Sequence, residues 1–188
     1  GNNKWMLSAN GTLFTYDYEA IIPGLLKRWY EERQEMQRKM RECGDNEIER
    51  EYWDKRQLVK KINLNSLYGA ILNPGCRFFD MRIGQSVTLT GRCITQHMAS
   101  KVNEVVTGEY DHKGESIVYG DTDSVYFSAF KTLQKEIKEG IIPWTKDSVV
   151  ALYDKIADEV NGSFKSFMTK AFHTPSTRGE VIAAGREL

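Results

Sequence analysis

The chain has 188 residues with 26 basic and 26 acidic side chains, so it carries no net charge and no overall basic field that would announce nucleic acid. Apolar residues at 40% can support a core, and charged residues at 28% are slightly rich for a folded domain. No apolar run approaches the ~20 residues of a membrane helix, and Gly1-Asn2-Asn3-Lys4 is no secretory signal. Cys43, Cys76 and Cys93 are widely spaced, with no C-x-x-C and no His pair nearby. That argues against a zinc site or a disulfide framework and fits a reducing cytosol. His97, His112 and His173 stand alone and read as structural or solvent-facing. The chain opens on a strand-like Trp5-Met6-Leu7 and stops just after an apolar run, so a fragment is expected.

Residues 5–16 read as a β-hairpin, Trp5-Met6-Leu7 and Thr12 to Tyr16 around an Asn10-Gly11 turn. Asp17 is then expected to cap a helix that holds Pro23 in its early turn and runs to about Arg41, with Gly44 as its stop. Its apolar stripe is Ile22, Leu25, Leu26, Trp29, Met36 and Met40. Arg33 falls in the middle of that stripe, where a guanidinium must find an anion or reach water. A local Glu and a phosphate are both open as its partner. Gly44-Asp45-Asn46 is a tight link to a second helix, about 47–70, and so implies an antiparallel pair. On that helix Leu64, Leu67 and Ile71 share one side, while Lys61, Asn65 and Tyr68 share another at i, i+4, i+7 spacing. Lys61 is a point charge of the kind that binds phosphate. Tyr68-Gly69 sets a flat ring beside bare backbone. A solvated helix face is the alternative.

Asn73-Pro74-Gly75 breaks the helix, and Cys76 to Phe79 is expected to be extended. A third helix, about 80–106, carries a core stripe of Val87, Ile94, Met98, Val102 and Val105. Next come two β-prone runs, Glu115 to Val118 and Val125 to Ser128, flanking Tyr119-Gly120-Asp121-Thr122-Asp123-Ser124. Alternation along a strand would send Asp121 and Asp123 to one side. Two such carboxylates repel unless a cation lies between them, and hard oxygens suit Mg²⁺ or Mn²⁺. A solvated acidic turn is the other reading. A helix over 132–139 and another over about 146–170, marked by Val149, Leu152, Ile156, Val160 and Phe164, follow. The last run, Glu180-Val181-Ile182-Ala183-Ala184, reads as a strand.

Lys61-Ile-Asn-Leu-Asn65-Ser-Leu-Tyr68-Gly69 followed by Tyr119-Gly-Asp-Thr-Asp-Ser124 resembles the fingers and palm motifs of the family B DNA polymerases, with the T-even-like phage replicative type as the nearest likeness. The resemblance runs from the Ser8-Ala-Asn-Gly11 hairpin to Glu180. It implies an α+β fold: a palm-edge hairpin over 1–16, antiparallel fingers helices over 17–73, and over 74–188 a partial palm whose antiparallel sheet carries the acidic hairpin packed on helices. It implies that Asp123 ligates catalytic metal, Mg²⁺ or Mn²⁺ with two ions in the complete enzyme, that Asp121 lies beside it, and that Glu180 is a further acidic residue of the site. Arg33, Lys61, Asn65 and Tyr68 would contact the incoming nucleotide. Ser66, Gly69, Tyr119, Gly120 and Thr122 would contact DNA.

The partners so implied are primer-template DNA, a dNTP, the remaining polymerase segments on the same or a separate chain, and a sliding clamp, with no membrane. The setting would be the cytoplasm of a phage-infected bacterium. Two departures stand out. Gln37 occupies the place where the family usually has a Lys one turn after the fingers Arg, and no Asp-x-x-Ser-Leu-Tyr-Pro stretch supplies the second metal-binding Asp. The segment is therefore expected to be inactive alone. The alternative is a non-catalytic polymerase-derived piece that binds nucleic acid or docks to a partner chain.

Overall fold

The computed structural model describes residues 4–175 and 178–185, though not the side chain of Glu180. It is a helix-rich α+β chain. The elements run β1 (Trp5–Leu7), β2 (Leu13–Thr15), α1 (Ile21–Glu42), α2 (Glu47–Ile71), α3 (Met81–Thr107), β3 (Ile117–Asp121), β4 (Ser124–Phe127), α4 (Gln134–Lys138) and α5 (Lys146–Phe172), then a 3₁₀ turn at Gly179–Val181. The strands form two separate antiparallel hairpins, β1-β2 and β3-β4. The chain divides into two compact units, Gly1–Thr15 with Ser86–Leu188, and Tyr16–Gln85.

The core of the first unit lies between α3 and α5. Val102, Ile156, Val160 and Phe164 are buried together, with Ile94, Met98, Leu152, Ile117 and Phe127 packed around them. On α5 the buried positions Ile156, Val160, Phe164, Met168 and Phe172 recur every four residues, so one apolar stripe faces inward along most of the helix. Thr145 and Ser148 start α5 with a reciprocal capping box, and His173 ends it in the left-handed conformation at φ 55°. The β3-β4 hairpin lays Ile117 and Phe127 on this core, and the Phe127 ring stacks on Tyr153 of α5 with centroids 4.8 Å apart.

Two asparagines fix backbone that no strand pairs. Asn103, 1% exposed, donates from Nδ2 to the Glu109 carbonyl at 2.8 Å and accepts at Oδ1 from the Ser116 amide and hydroxyl. It thereby holds the loop that launches β3, and Gly114 must lack a side chain because a Cβ there would meet the Asn103 amide at 2.1 Å. Asn161 of α5 donates to the Ala184 carbonyl at 3.0 Å and accepts from the Ala184 amide at 2.7 Å. The expected strand over 180–184 is therefore not formed. Its residues begin in the 3₁₀ turn, and Ile182 and Ala184 then alternate onto the core while a helix side chain takes the backbone bonds.

In the second unit α1 and α2 pack antiparallel. Half-buried positions fall at 22, 26, 29, 33, 36 and 40 on α1 and at 53, 57, 60, 64 and 67 on α2, the alternating four-three spacing of a helical seam. Contacts run in antiparallel register. Lys60 lies 5.6 Å from the Trp29 ring centroid, Arg33 donates to Gln57, and Lys39 lies 4.6 Å from the Trp53 ring centroid. Lys60 also pairs with Glu32, whose carboxyl that ammonium holds below the usual range. No residue of α1 is fully buried.

Other expectations are corrected. The N-cap of α1 is Ala20, not Asp17, because the first helical bond runs from the Gly24 amide to the Ala20 carbonyl, at 3.0 Å. Cys76 to Phe79 is not extended but a pair of turns, with Cys76 bonded to the Asn73 carbonyl and Phe79 to that of Cys76. Val87 is 54% exposed, and the inward positions at that end of α3 are Ser86 and Thr90. These small polar residues suit the site because the Ala9 amide of the β1-β2 loop donates to Thr90 Oγ1 at 3.1 Å. That loop spans residues 8–12, so Asn10-Gly11 turns within a longer connection, with Gly11 at φ 85°.

Candidate functional site

The site residues expected from the sequence divide between the two units. In the first, the whole Tyr119-Gly120-Asp121 stretch is strand, and Asp121 pairs with Ser124 across a two-residue turn of Thr122 and Asp123. Tyr119 pairs with Tyr126 across the hairpin, their rings 5.9 Å apart, and both are largely exposed. Strand alternation stops at Asp121, so it does not govern where Asp123 points.

The two carboxylates have different surroundings. Asp121 Oδ1 accepts from the Thr122 amide at 2.6 Å and from the Thr122 hydroxyl at 3.1 Å, so this side chain closes its own turn. Asp123 is exposed and has no hydrogen-bond or ion-pair partner among the described residues. Thr95 Oγ1 of α3 donates to the Thr122 carbonyl at 2.9 Å. Beneath the turn lies a largely apolar cavity of about 550 Å³, lined by Ile94, Thr95, Met98, Asp123, Phe164 and Ile182 among others.

A divalent ion is a fair occupant for part of this turn. Mg²⁺ commonly takes one or two carboxylates and completes its octahedron with water and substrate phosphate, and Asp123 offers an open carboxylate of that kind. Among the described residues no three acidic, His or Cys side chains gather into a metal-holding cluster, so the ion's other ligands would be solvent, substrate or further protein. The side chain of Glu180 lies outside the described residues.

In the second unit, Lys61, Asn65, Ser66 and Gly69 are all exposed on α2, and Tyr68 is half-buried. The Tyr68 hydroxyl donates to the Gly84 carbonyl at 3.1 Å, so its ring is tied to the start of α3. Gly69 has open space where a Cβ would stand, leaving bare backbone on the helix. Arg33 Nε donates to Gln57 Oε1 at 3.1 Å. Its partner is thus a neutral amide, and none of the ion pairs among the described residues involves it. Arg38, beside Gln37, is engaged with Glu35 and Glu42 at 2.6 and 2.7 Å.

Sequence reasoning missed Thr95, Asn103 and Asn161. The available signal was a polar residue inside or beside an apolar helical stripe, where it must find a backbone partner.

The profile of DNA polymerase family B matches residues 4–169. A DNA-directed DNA polymerase of Escherichia phage RB69 is 41% identical over 80 residues, 42% of this chain and 9% of the phage protein. The corresponding enzyme of Enterobacteria phage T4 is 42% identical over 82 residues, again 42% of this chain and 9% of its own length. A DNA polymerase of Desulfurococcus sp. (strain Tok) is 34% identical over 172 residues, covering 92% of this chain and 21% of the archaeal protein. An acidic β-hairpin on a helical core and a separate helical pair are thus arranged on a sequence of known kind. The chain belongs to DNA polymerase family B. It spans about a tenth to about a fifth of the length of these relatives.

Proposed function

We propose that this chain is the fingers and part of the palm of a template-directed DNA polymerase of the T-even-like phage type. It would act on primer-template DNA and a dNTP in the cytoplasm of an infected bacterium. The observation that carries the reading is the family match over residues 4–169, which includes both the Lys61–Gly69 face and the acidic turn. In this reading residues 1–16 are the palm edge, 17–73 the fingers and 74–188 the partial palm.

The reaction is attack of a primer 3′-hydroxyl on the α-phosphate of the dNTP, with pyrophosphate leaving. Two divalent ions, when bound, would stabilise the attacking oxygen and the charge developing on the phosphate. Asp123 is their ligand from this chain. Asp121 shapes the turn that carries Asp123, with Glu180 as a further acidic group. Lys61 and Arg33 offset triphosphate charge, Arg33 exchanging its Gln57 bond for phosphate oxygens, and Asn65 adds a neutral contact. Tyr68, Ser66 and Gly69 meet the nascent pair, and Tyr119, Gly120 and Thr122 the primer end. Sequence is read by base pairing, so these contacts serve position and shape.

At the acidic turn the chain supplies one unengaged carboxylate, Asp123, so in this reading catalysis needs the remaining polymerase segments, and a sliding clamp is a further partner. Primer extension by the chain alone is expected to be undetectable, and supplying the remaining polymerase segments should restore it. In the restored enzyme Asp123→Ala should abolish extension and Asp121→Ala should reduce it less. Robust extension by the isolated chain, or indifference to both substitutions, would overturn this reading.

A further inference from the structure

Among the described residues, the hydroxyl of Thr95 makes the one hydrogen bond between the Thr122-Asp123 turn and a helix. The ladder fixes the flanks through the Asp121 and Ser124 pair, and the peptide between Thr122 and Asp123 lies beyond that last pair. The cavity below gives the turn no packed floor. Because the peptide unit is planar, holding the Thr122 oxygen also holds the Asp123 amide and Cα. Asp121 cannot do this, since its carboxylate bonds the other side of Thr122, at the amide and hydroxyl.

We propose that Thr95 is the positioning residue for Asp123, fixing the peptide from which that carboxylate projects. The inference rests on the reading of Asp123 as a metal ligand. A second acceptor makes the arrangement a choice between two states. Thr95 Oγ1 also lies 3.2 Å from the Gly91 carbonyl of its own helix, against 2.9 Å to Thr122. One hydroxyl proton cannot serve both fully. When the turn moves away, the hydroxyl falls back on Gly91, the ordinary i−4 bond of a helical Thr. Valine has nearly the shape of threonine and removes only this donor, whereas serine keeps it.

The test uses the ¹⁵N-labelled chain, first without metal and then titrated with Mn²⁺, whose paramagnetism broadens nearby amide signals. In the parent, the Thr122 and Asp123 amides should show order parameters of ~0.85, and Thr95→Val should lower them below ~0.6. The Mn²⁺ concentration that half-broadens the turn signals should rise about 5-fold in Thr95→Val, because a ligand that is no longer preorganised must be ordered on binding. Thr95→Ser should restore both readings, which a merely structural role for the Thr95 methyl would not predict. Asp123→Ala should lose the broadening and keep the order. If Asp123→Ala still broadens, the metal-ligand reading fails and this inference fails with it. If Asp123→Ala loses broadening while Thr95→Val leaves either the order parameters or the Mn²⁺ dependence at parent values, the inference alone is overturned.

Discussion

The two units solve the problem of holding helices together in opposite ways. The α3-α5 unit buries Val102, Ile156, Val160 and Phe164 in one apolar cluster and assigns polar side chains such as Asn103 to fixed backbone partners. The α1-α2 unit has the spacing of an apolar seam but fills its middle with Arg33, Gln57, Lys60 and Glu32, and buries no residue of α1. Burial of apolar area is the main favourable term in folding, and exposed ion pairs add little. The first unit is therefore the one held by an apolar core. The second has less buried apolar contact, a feature that goes with lower local stability.

Truncation in the two cores should give the largest contrast. Phe164→Ala, at 2% exposure, should cost about 3–5 kcal/mol in urea unfolding, and Leu26→Ala on the half-buried seam about 1 kcal/mol. Equal costs would erase the distinction between the units. Asn103→Ala is next. It strands the Ser116 amide and hydroxyl and the Glu109 carbonyl, for about 2–3 kcal/mol by the same measurement.

A smaller effect concerns His97, which joins α3 to α5. Ser163 Oγ donates to the Val160 carbonyl at 2.6 Å, so it accepts the Nε2 proton of His97, and Nδ1 is left to accept from the Tyr110 hydroxyl. Burial, helped by the charge of Lys101 and opposed by Glu104, holds this imidazole below its ordinary value of 6.5. The unfolded chain therefore takes up a proton that the folded one resists. The stabilisation is full above pH 6.5 and is lost as pH falls through the lowered folded value. Urea midpoints should fall between about pH 7 and about pH 5, and His97→Gln should flatten that dependence. The smallest change is expected in the other unit. Lys60→Met keeps the contact with Trp29 and removes only a partly exposed ion pair, so the midpoint should stay where it is. A loss as large as that of Asn103→Ala would mean that the polar seam holds α1 to α2.

The long helices were legible because their apolar residues repeat at helical spacing, as with Ile156, Val160 and Phe164, and because Gly44, Asn73 and Pro74 punctuate them. Local pattern failed where a distant partner decided the outcome. Val87 looked inward by hydrophobicity, but the β1-β2 loop needed the hydroxyl of Thr90. Residues 180–184 look like a strand by composition, but Asn161 meets the backbone of Ala184 from a helix. In the candidate site, the acidic turn and the Lys61–Gly69 face could be read from motif alone. That Asp121 is engaged while Asp123 is open depends on hydroxyl and amide geometry at Thr122, which the letters Asp-Thr-Asp do not encode.

The register of β3 and β4 shifts between Ile117 and Tyr119, so Val118 is an extra residue that stands 71% exposed. An irregularity of this kind disturbs the even spacing of donors and acceptors along the strand and increases its twist. A second chain approaching that edge would not find a continuous ladder to zip onto. The hairpin can thus leave a valine and two tyrosines in water with less tendency to recruit another copy of itself, a form of protection against aggregation written into a single surplus residue.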